Sequence, residues 1–415
     1  MLDITFIREH SDLVKQACEN KQLKAEVVDK LLLSDAQRIE LKQAVDEIRR
    51  QINENADKIR QQVHQGGKPE ETLVNTGKQL KEQLKQVEPD FKKAEEQFNK
   101  LMLQVPNVPA SEVPVGADES GNQVVRQVGE LPKFKFTPLP HEQIMEKLDW
   151  LDTSRAVRIG GFRSYFLKNE AVLLEQALLR YALDFMVKKG FTPLTTPVLV
   201  NYEAMVGTGY FPWGEEDHYR TQDDKFLTGT AEVALTSYYL GETLTEAELP
   251  IKLTGISPCF RREVGSHGKD TQGIIRVHQF NKVEQVVFTV ADEKITQEWH
   301  EKMLGFSEEL LQSLGLPYQV LLMCTGDMGA GQRKKYDIET WFPAQNCYRE
   351  THSASYFNDF QTRRLGIRYQ AKDGKTKFAY SLNNTVLATP RLLAAIVENY
   401  QQADGSVKIP DVLKL

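Results

Sequence analysis

Between residues 34 and 105 the chain is rich in Gln, Lys and Glu, has few Gly or Pro, and spaces its apolar side chains at a fixed step. Leu80, Leu84, Val87, Phe91, Ala94, Phe98, Leu101 and Val105 alternate intervals of four and three, the seam of a heptad repeat. Leu41, Val45, Ile48, Ile52, Ala56, Ile59 and Val63 repeat the theme, and Gln65-Gly66-Gly67-Lys68-Pro69 between the two runs is a helix stop followed by a turn. Two helices of about thirty residues joined by about five or six must run antiparallel, because so short a connection cannot carry the chain back to start a parallel partner. At 1.5 Å per residue the hairpin is expected to reach on the order of 45 Å. Pro89 lies inside the second run and is expected to kink it, since it lacks a backbone donor and crowds the preceding turn. Basic and acidic residues nearly balance along this arm, so any RNA contact there rests on shape and a few side chains. Taken alone, the hairpin serves equally well as a spacer or a dimerisation element.

The remaining sequence is too large to be an appendage of the arm. The chain has 415 residues, 40% hydrophobic and 27% charged, with 52 basic against 58 acidic side chains for a formal charge of −6. At about 100–200 residues per domain this means two or three domains with ample core, and it excludes disordered, collagenous and disulfide-scaffold classes. Mild acidity argues against nucleic-acid binding by bulk charge. Cys18, Cys259, Cys324 and Cys347 stand far apart with no CxxC spacing, so neither a disulfide framework nor a zinc ribbon is expected. Asp3, Arg8, Glu9, Asp12 and Lys15 interrupt any signal-peptide core, and Glu175, Arg180 and Asp184 break the most apolar helical run. A cytoplasmic protein with no membrane partner is the expectation.

From residue 106 to 140 six prolines surround a Gly-bearing stretch at 116–121, which reads as a linker over the surface of the next domain. Beyond residue 141, helical periods such as 172–187 mix with β-branched and aromatic runs such as 274–277 and 283–289, without βαβ alternation. An α+β domain on an antiparallel sheet follows. There is no GxxxxGK[ST] and no strand-linked GxGxxG, so neither a P-loop nor a Rossmann site is expected.

Four polar clusters in this domain are able to carry chemistry. Cys259-Phe260-Arg261-Arg262-Glu263, a loop, and residues 274–284 read as strand, loop, strand, with Arg276, His278, Phe280, Lys282 and Glu284 alternating onto one face. Such a face is either a solvated surface with cross-strand ion pairs or a floor for a nucleotide, with arginines for phosphate and Phe280 for a base. Thr228-Gly229-Thr230-Ala231-Glu232 is a turn leading into a helical period at 233–240. In Glu350-Thr351-His352-Ser353 a carboxylate and a hydroxyl three apart are oxygen ligands suited to Mg²⁺. Ser381-Leu382-Asn383-Asn384-Thr385 precedes a Pro-started helix from Ala388 whose first turn carries Arg391, where the helix dipole favours an anion outside it.

Phe260-Arg261-Arg262-Glu263 resembles motif 2 of the class II aminoacyl-tRNA synthetases, residues 388–398 with Arg391 resemble motif 3, and Gly190-Phe191 followed by Pro197 behind the 172–187 helix resemble the dimer-forming motif 1. Together with Arg276-Val277-His278-Gln279-Phe280, Lys282-Val283-Glu284-Gln285, Thr230-Ala231-Glu232 and the two-helix arm after Met1-Leu2-Asp3, the order of elements is similar to the seryl-tRNA synthetase family of the common bacterial type over essentially the whole chain. Gln272, His352, His267 and Pro89 depart from the usual pattern.

The resemblance implies an N-terminal tRNA-binding domain at 1–105 with the arm at about 34–105, a linker at 106–140, and a catalytic domain at 141–415. It implies a homodimer that activates L-serine with ATP and Mg²⁺ and transfers it to tRNA(Ser), held through the arm, and to tRNA(Sec), with no zinc. Arg261 and Arg391 are then the catalytic arginines, the first on the ATP α-phosphate and the serine carboxylate, the second on the γ-phosphate. Glu263 takes the adenine amino group, Phe280 stacks on adenine, and Arg276 neutralises phosphates. Glu350 and Ser353 hold Mg²⁺. Thr230 and Glu232 receive the serine ammonium, Glu284 and Thr385 its hydroxyl, and Asn383 shapes the pocket. The alternatives are an RNA-binding, catalytically repurposed paralogue, and a related ligase that loads a carrier protein, although relatives of that second kind lack the arm.

Overall fold

The computed structural model describes residues 1–264 and 273–414, so His267 and Gln272 lie outside the described residues. The chain divides into two compact units: residues 2–19 with 23–106, and residues from Asn107 onward with Met1 and Asn20–Gln22.

The first unit is built on two long helices, α1 (Glu26–His64) and α2 (Glu71–Gln104). α1 begins upstream of residue 34 because Val27, Val28 and Leu31 extend its buried stripe, with Glu26 and Asp29 in the dipole-favoured first turn. Its 39 residues make it about 58 Å long, more than the sequence suggested. The helices run antiparallel: Arg38 stands 4.3 Å above the Phe98 ring, and Arg49 pairs with Glu88 at 2.8 Å. Val45, Leu80, Ala94 and Leu101 are buried in the heptad stripe, while Val63, beside the helix stop, is exposed. Asn55 is a buried polar residue in this stripe, and its Nδ2 donates to the Leu73 carbonyl at 2.9 Å; a polar group in a seam fixes register at some cost in stability. α2 continues as a helix through Pro89, whose ring lies on the exposed side, away from the seam.

The second unit is organised by an eight-stranded sheet. Its strands are β1 (Gln123–Val128), β2 (Thr192–Thr195), β3 (Ile251–Phe260), β4 (Gln279–Thr289), β5 (Tyr318–Leu322), β6 (Lys334–Phe342), β7 (Cys347–Asn358) and β8 (Tyr380–Ala388). Their order is β1-β5-β6-β7-β8-β4-β3-β2, and every pairing is antiparallel except β2 with β3. β1 falls in the Pro-rich segment 106–140, which therefore contributes an edge strand.

Helices cover one face. α3 (His141–Lys147), α4 (Glu170–Lys188), α5 (Glu293–Ser313) and α6 (Thr389–Asn399) bring Leu178, Met186, Met303, Leu310, Leu393 and Ile396 against Val283, Val287, Ile338 and Leu382 of the sheet. The alternating residues of β4, Lys282 and Glu284, point to the opposite face, which is buried and polar here and apolar farther along at Val286 and Phe288.

The α5 histidine His300 lies in this core, with Nε2 3.0 Å from the Ala354 carbonyl and its ring stacked on Tyr336 at 5.2 Å. Burial and the Lys334 charge push its imidazole down to about 4, against a backbone hydrogen bond that favours the charged form. A folded-state value below the unfolded one means stability that is complete above about pH 6.5 and lost as pH falls toward the folded value, about 2 kcal/mol of it by pH 5. Replacing His300 with Gln should therefore lessen the drop in thermal midpoint between pH 7 and pH 5. An equal drop in both proteins would mean that another group sets the acid limb.

Candidate active site

On the face of the sheet opposite these four helices, β3 and β4 form a hairpin whose ladder continues one step past the strands. Arg261 N donates to the His278 carbonyl at 2.9 Å, and His278 Nδ1 returns a bond to the Arg261 carbonyl at 2.8 Å. Cys259 faces Phe280 in register, so Arg261, two residues on, shares their side; its guanidinium lies 5.3 Å over the Phe280 ring and Nε donates to the Gly229 carbonyl at 3.2 Å. Arg262 turns away to the Glu216 carbonyl at 2.9 Å.

One sequence expectation fails here. Residues 274–277 are not strand, and β4 begins only at Gln279, so Arg276 and His278 belong to the loop rather than to an alternating face. Arg276 still reaches the site from the loop, where its Nη1 pairs with Glu263 Oε2 at 2.7 Å. Similarly, the helix after Thr230 is short, Glu232–Thr236, and does not extend to residue 240.

Arg261, Glu263, Arg276, Phe280, Glu350, Thr385 and Arg391 line one cleft. Ser353 and Asn383 do not line this cleft. Glu350 and Ser353 nevertheless share a face. Residues three apart on a regular strand point oppositely, but Glu339 faces Glu350 while Asp337 faces Ser353, which leaves Thr351 as an extra residue in a β-bulge. β8 carries the matching irregularity: Thr385 faces Glu284 and Leu387 faces Val283, with Val386 bulged. His352 joins the two bulges from beneath. Its Nε2 is 3.1 Å from the Val386 carbonyl and its Nδ1 2.8 Å from Thr351 Oγ1, and burial pushes the imidazole down to about 4.

Arg391, in the first turn of α6, donates from Nη1 to the Glu350 carbonyl at 2.7 Å and to Oε2 at 3.1 Å. The surrounding protein disfavours charge on Glu350, yet Arg391, Lys335 and Arg261 together hold its carboxyl at about 2. Asp337 is the opposite case: burial and the Glu350 charge push it up to about 7, although Lys335 lies 2.9 Å away. Among the described residues no group of three or more His, Cys, Asp or Glu is arranged to hold a metal ion.

Behind the cleft is a more enclosed group. Lys282 pairs with Glu284 and donates to Thr230 Oγ1 at 3.1 Å, and Thr230 donates to Glu284 Oε2 at 3.2 Å. Glu232 is gripped on both oxygens, by Tyr210 OH at 2.8 Å and Gln361 Nε2 at 2.9 Å, and Ser381 orients Gln361 with a bond of 2.7 Å. Burial raises the pKa of both Glu232 and Glu284, and the charge of Glu284 raises Glu232 further. Sequence reasoning gave no role to Lys282, Tyr210, Gln361 or Asp337. Lys282 had a signal, its place in the alternation with Phe280 and Glu284; Tyr210 and Gln361 come from segments with no motif.

Two family models match the chain: the seryl-tRNA synthetase N-terminal domain over residues 1–109, and the tRNA synthetase class II core domain (G, H, P, S and T) over residues 215–400. The serine–tRNA ligase of Deinococcus radiodurans is 47% identical over the whole of this chain and 97% of its own length. Among solved structures, the seryl-tRNA synthetase of Pyrococcus horikoshii complexed with ATP superposes with a TM-score of 0.91 at 37% identity, covering 100% of this chain and 97% of that one. The cytoplasmic serine–tRNA ligase of Naegleria fowleri in complex with AMP gives 0.87 at 35% identity, covering 100% and 96%. With its arm, its sheet and its motifs in that order, and with relatives this close over its full length, the chain belongs to the seryl-tRNA synthetase family of class II aminoacyl-tRNA synthetases.

Proposed function

We propose that the cleft takes ATP and the enclosed group behind it takes serine, so that the serine carboxylate meets the α-phosphorus beside Arg261. The charge of the enclosed group carries this reading. Glu232, Glu284 and Lys282 are all buried, two carboxylates against one ammonium, beside a cleft lined by three arginines. A second ammonium relieves the raised carboxylates, and polyphosphate suits the arginines. Thr230 and Glu232 receive the serine ammonium, Glu284 and Thr385 its hydroxyl, and Asn383, on the same face of β8 as Thr385, closes the pocket.

In the cleft Phe280 stacks on adenine and Glu263 accepts from its amino group. Arg261 bridges the α-phosphate and the serine carboxylate, Arg276 neutralises phosphate charge, and Arg391 takes the γ-phosphate. Glu350 and Ser353, oxygen donors on one face of β7, would hold Mg²⁺, which would supply neutralisation of the phosphate charge. The serine carboxylate oxygen attacks the α-phosphorus, the bond to pyrophosphate breaks, and a hydroxyl of the terminal adenosine of tRNA then attacks the seryl carbonyl and releases AMP. Positioning and charge supply the acceleration, with no general base among these residues.

The unit at 1–105 binds tRNA(Ser), and tRNA(Sec) with it, through the arm; 106–140 connects it to the catalytic domain at 141–415 and lends that domain's sheet its edge strand β1. The enzyme works as a cytoplasmic homodimer, formed through the motif 1 segment of α4, Gly190, Phe191 and Pro197. Amino-acid-dependent ATP–pyrophosphate exchange tests the pocket. Serine alone should support it: alanine leaves Glu284 and Thr385 unpaired, a discrimination of about 10⁴ or more, and threonine adds a methyl. Equal exchange with either would sink this assignment.

A further inference from the structure

Outside the groups that face ligand, one buried polar pair stands apart. His141, at the start of α3, is 1% exposed and Glu398, near the end of α6, is 0% exposed. Glu398 Oε1 accepts from His141 N at 3.1 Å and stands 2.9 Å from His141 Nδ1, while Oε2 accepts from Ala344 N at 3.1 Å. The other ring nitrogen, Nε2, accepts from Ile274 N at 3.2 Å. A backbone N–H only donates, so Nε2 is the bare nitrogen and Nδ1 carries the proton given to Glu398. Gly273 makes this approach possible. Its φ is +65°, and a Cβ there would come within 2.0 Å of Nε2.

Ile274 and Ile275 form the limb by which the β3–β4 loop returns to β4. His141 ties the Ile274 amide, and the Ile275 carbonyl accepts from Arg391 Nε at 3.1 Å. Arg391 and Glu398 are seven residues apart, two turns on one face of α6. One helix therefore secures the return limb twice, directly through Arg391 and indirectly through Glu398 and His141. We propose that His141 and Glu398 are positioning residues for the ATP cleft: they fix the return limb so that Arg276, next to Ile275, and Arg391 converge on the phosphates. This rests on the reading of that cleft as the ATP site. Neither residue lines the cleft.

The test uses the full-length protein with His141→Asn and His141→Gln. Asn places its amide nitrogen where Nδ1 stands and keeps the donor to Glu398, but has no acceptor for Ile274; Gln places a terminal oxygen near Nε2 and restores one. Since a misplacement of about 1 Å can cost on the order of 10²-fold, His141→Asn should raise the KM for ATP in pyrophosphate exchange by about tenfold or more. The KM for serine should stay nearly unchanged, and His141→Gln should recover most of the loss. Gly273→Ala, which leaves the buried pair intact and drives a methyl toward Nε2, should reproduce the ATP effect. Hydrogen exchange at the Ile274 amide should quicken in His141→Asn and slow again in His141→Gln, whatever the activity. An unchanged KM for ATP, equal rises for ATP and serine, or an unaltered Ile274 amide overturns the proposal. Absence of serine-dependent exchange in the unsubstituted protein, or an Arg391→Ala variant with normal KM for ATP, would instead overturn the reading of the cleft.

Discussion

Arg261→Lys is expected to slow serine-dependent ATP–pyrophosphate exchange by about 10²–10³-fold, the loss that follows removal of one transition-state contact, with little change in stability. Lysine keeps the charge but not the planar fork that bridges a carboxylate and a phosphate at once. It also lacks the Nε–H that fixes the side chain to the Gly229 carbonyl, and the flat face over Phe280. Arg262→Lys is the control. Arg262 lies on the other side of the hairpin, exposed, with its side chain on the Glu216 carbonyl. A single exposed contact of that kind contributes about 0.5–1.5 kcal/mol, so its exchange rate should stay close to that of the unsubstituted enzyme. Comparable losses in the two variants would mean that the hairpin presents its other face to ATP.

Excising the arm should separate the two half-reactions. Arg38 and Phe98 face each other across the hairpin at 4.3 Å, so residues 39–97 can be replaced by a short Gly/Ser turn that joins α1 to α2 at matched depth. Every residue proposed to bind ATP or serine lies in the other compact unit, which has its own core and is expected to fold without the arm. Exchange should therefore survive nearly intact while charging of tRNA is abolished. If the excised protein is folded and charges tRNA at the normal rate, the arm is a spacer.

Local patterns were the legible part of this chain. The heptads of the arm, the alternation of Phe280, Lys282 and Glu284, and the Pro-started helix with Arg391 each depend on neighbours within a few residues, and the sequence displays them directly. The grip on Glu232 did not show, because Tyr210 and Gln361 reach it from segments far apart in the chain and Ser381 must orient Gln361 first. Arg276 was expected on a strand and instead belongs to a loop, since the position where β4 begins is decided by pairing with β3 rather than by β-branched residues at 274–277. The edge strand β1 was hidden among prolines, and only its partner β5 makes it a strand.

Glu350 and Ser353 needed more than alternation, and the bulges that unite them also explain why there is a cleft at all. The β7–β8 ladder ends at Ala354 and Asn384, and beyond that level each strand takes up one extra residue, Thr351 or Val386. The imidazole of His352 reaches from one to the other, in contact with the Val386 carbonyl. The sheet thus parts along an internal seam rather than at its rim, and a side chain stands in for the backbone bonds given up. Opening a sheet from within, with no strand omitted, leaves a cleft whose walls belong to the same continuous framework as the core beneath it.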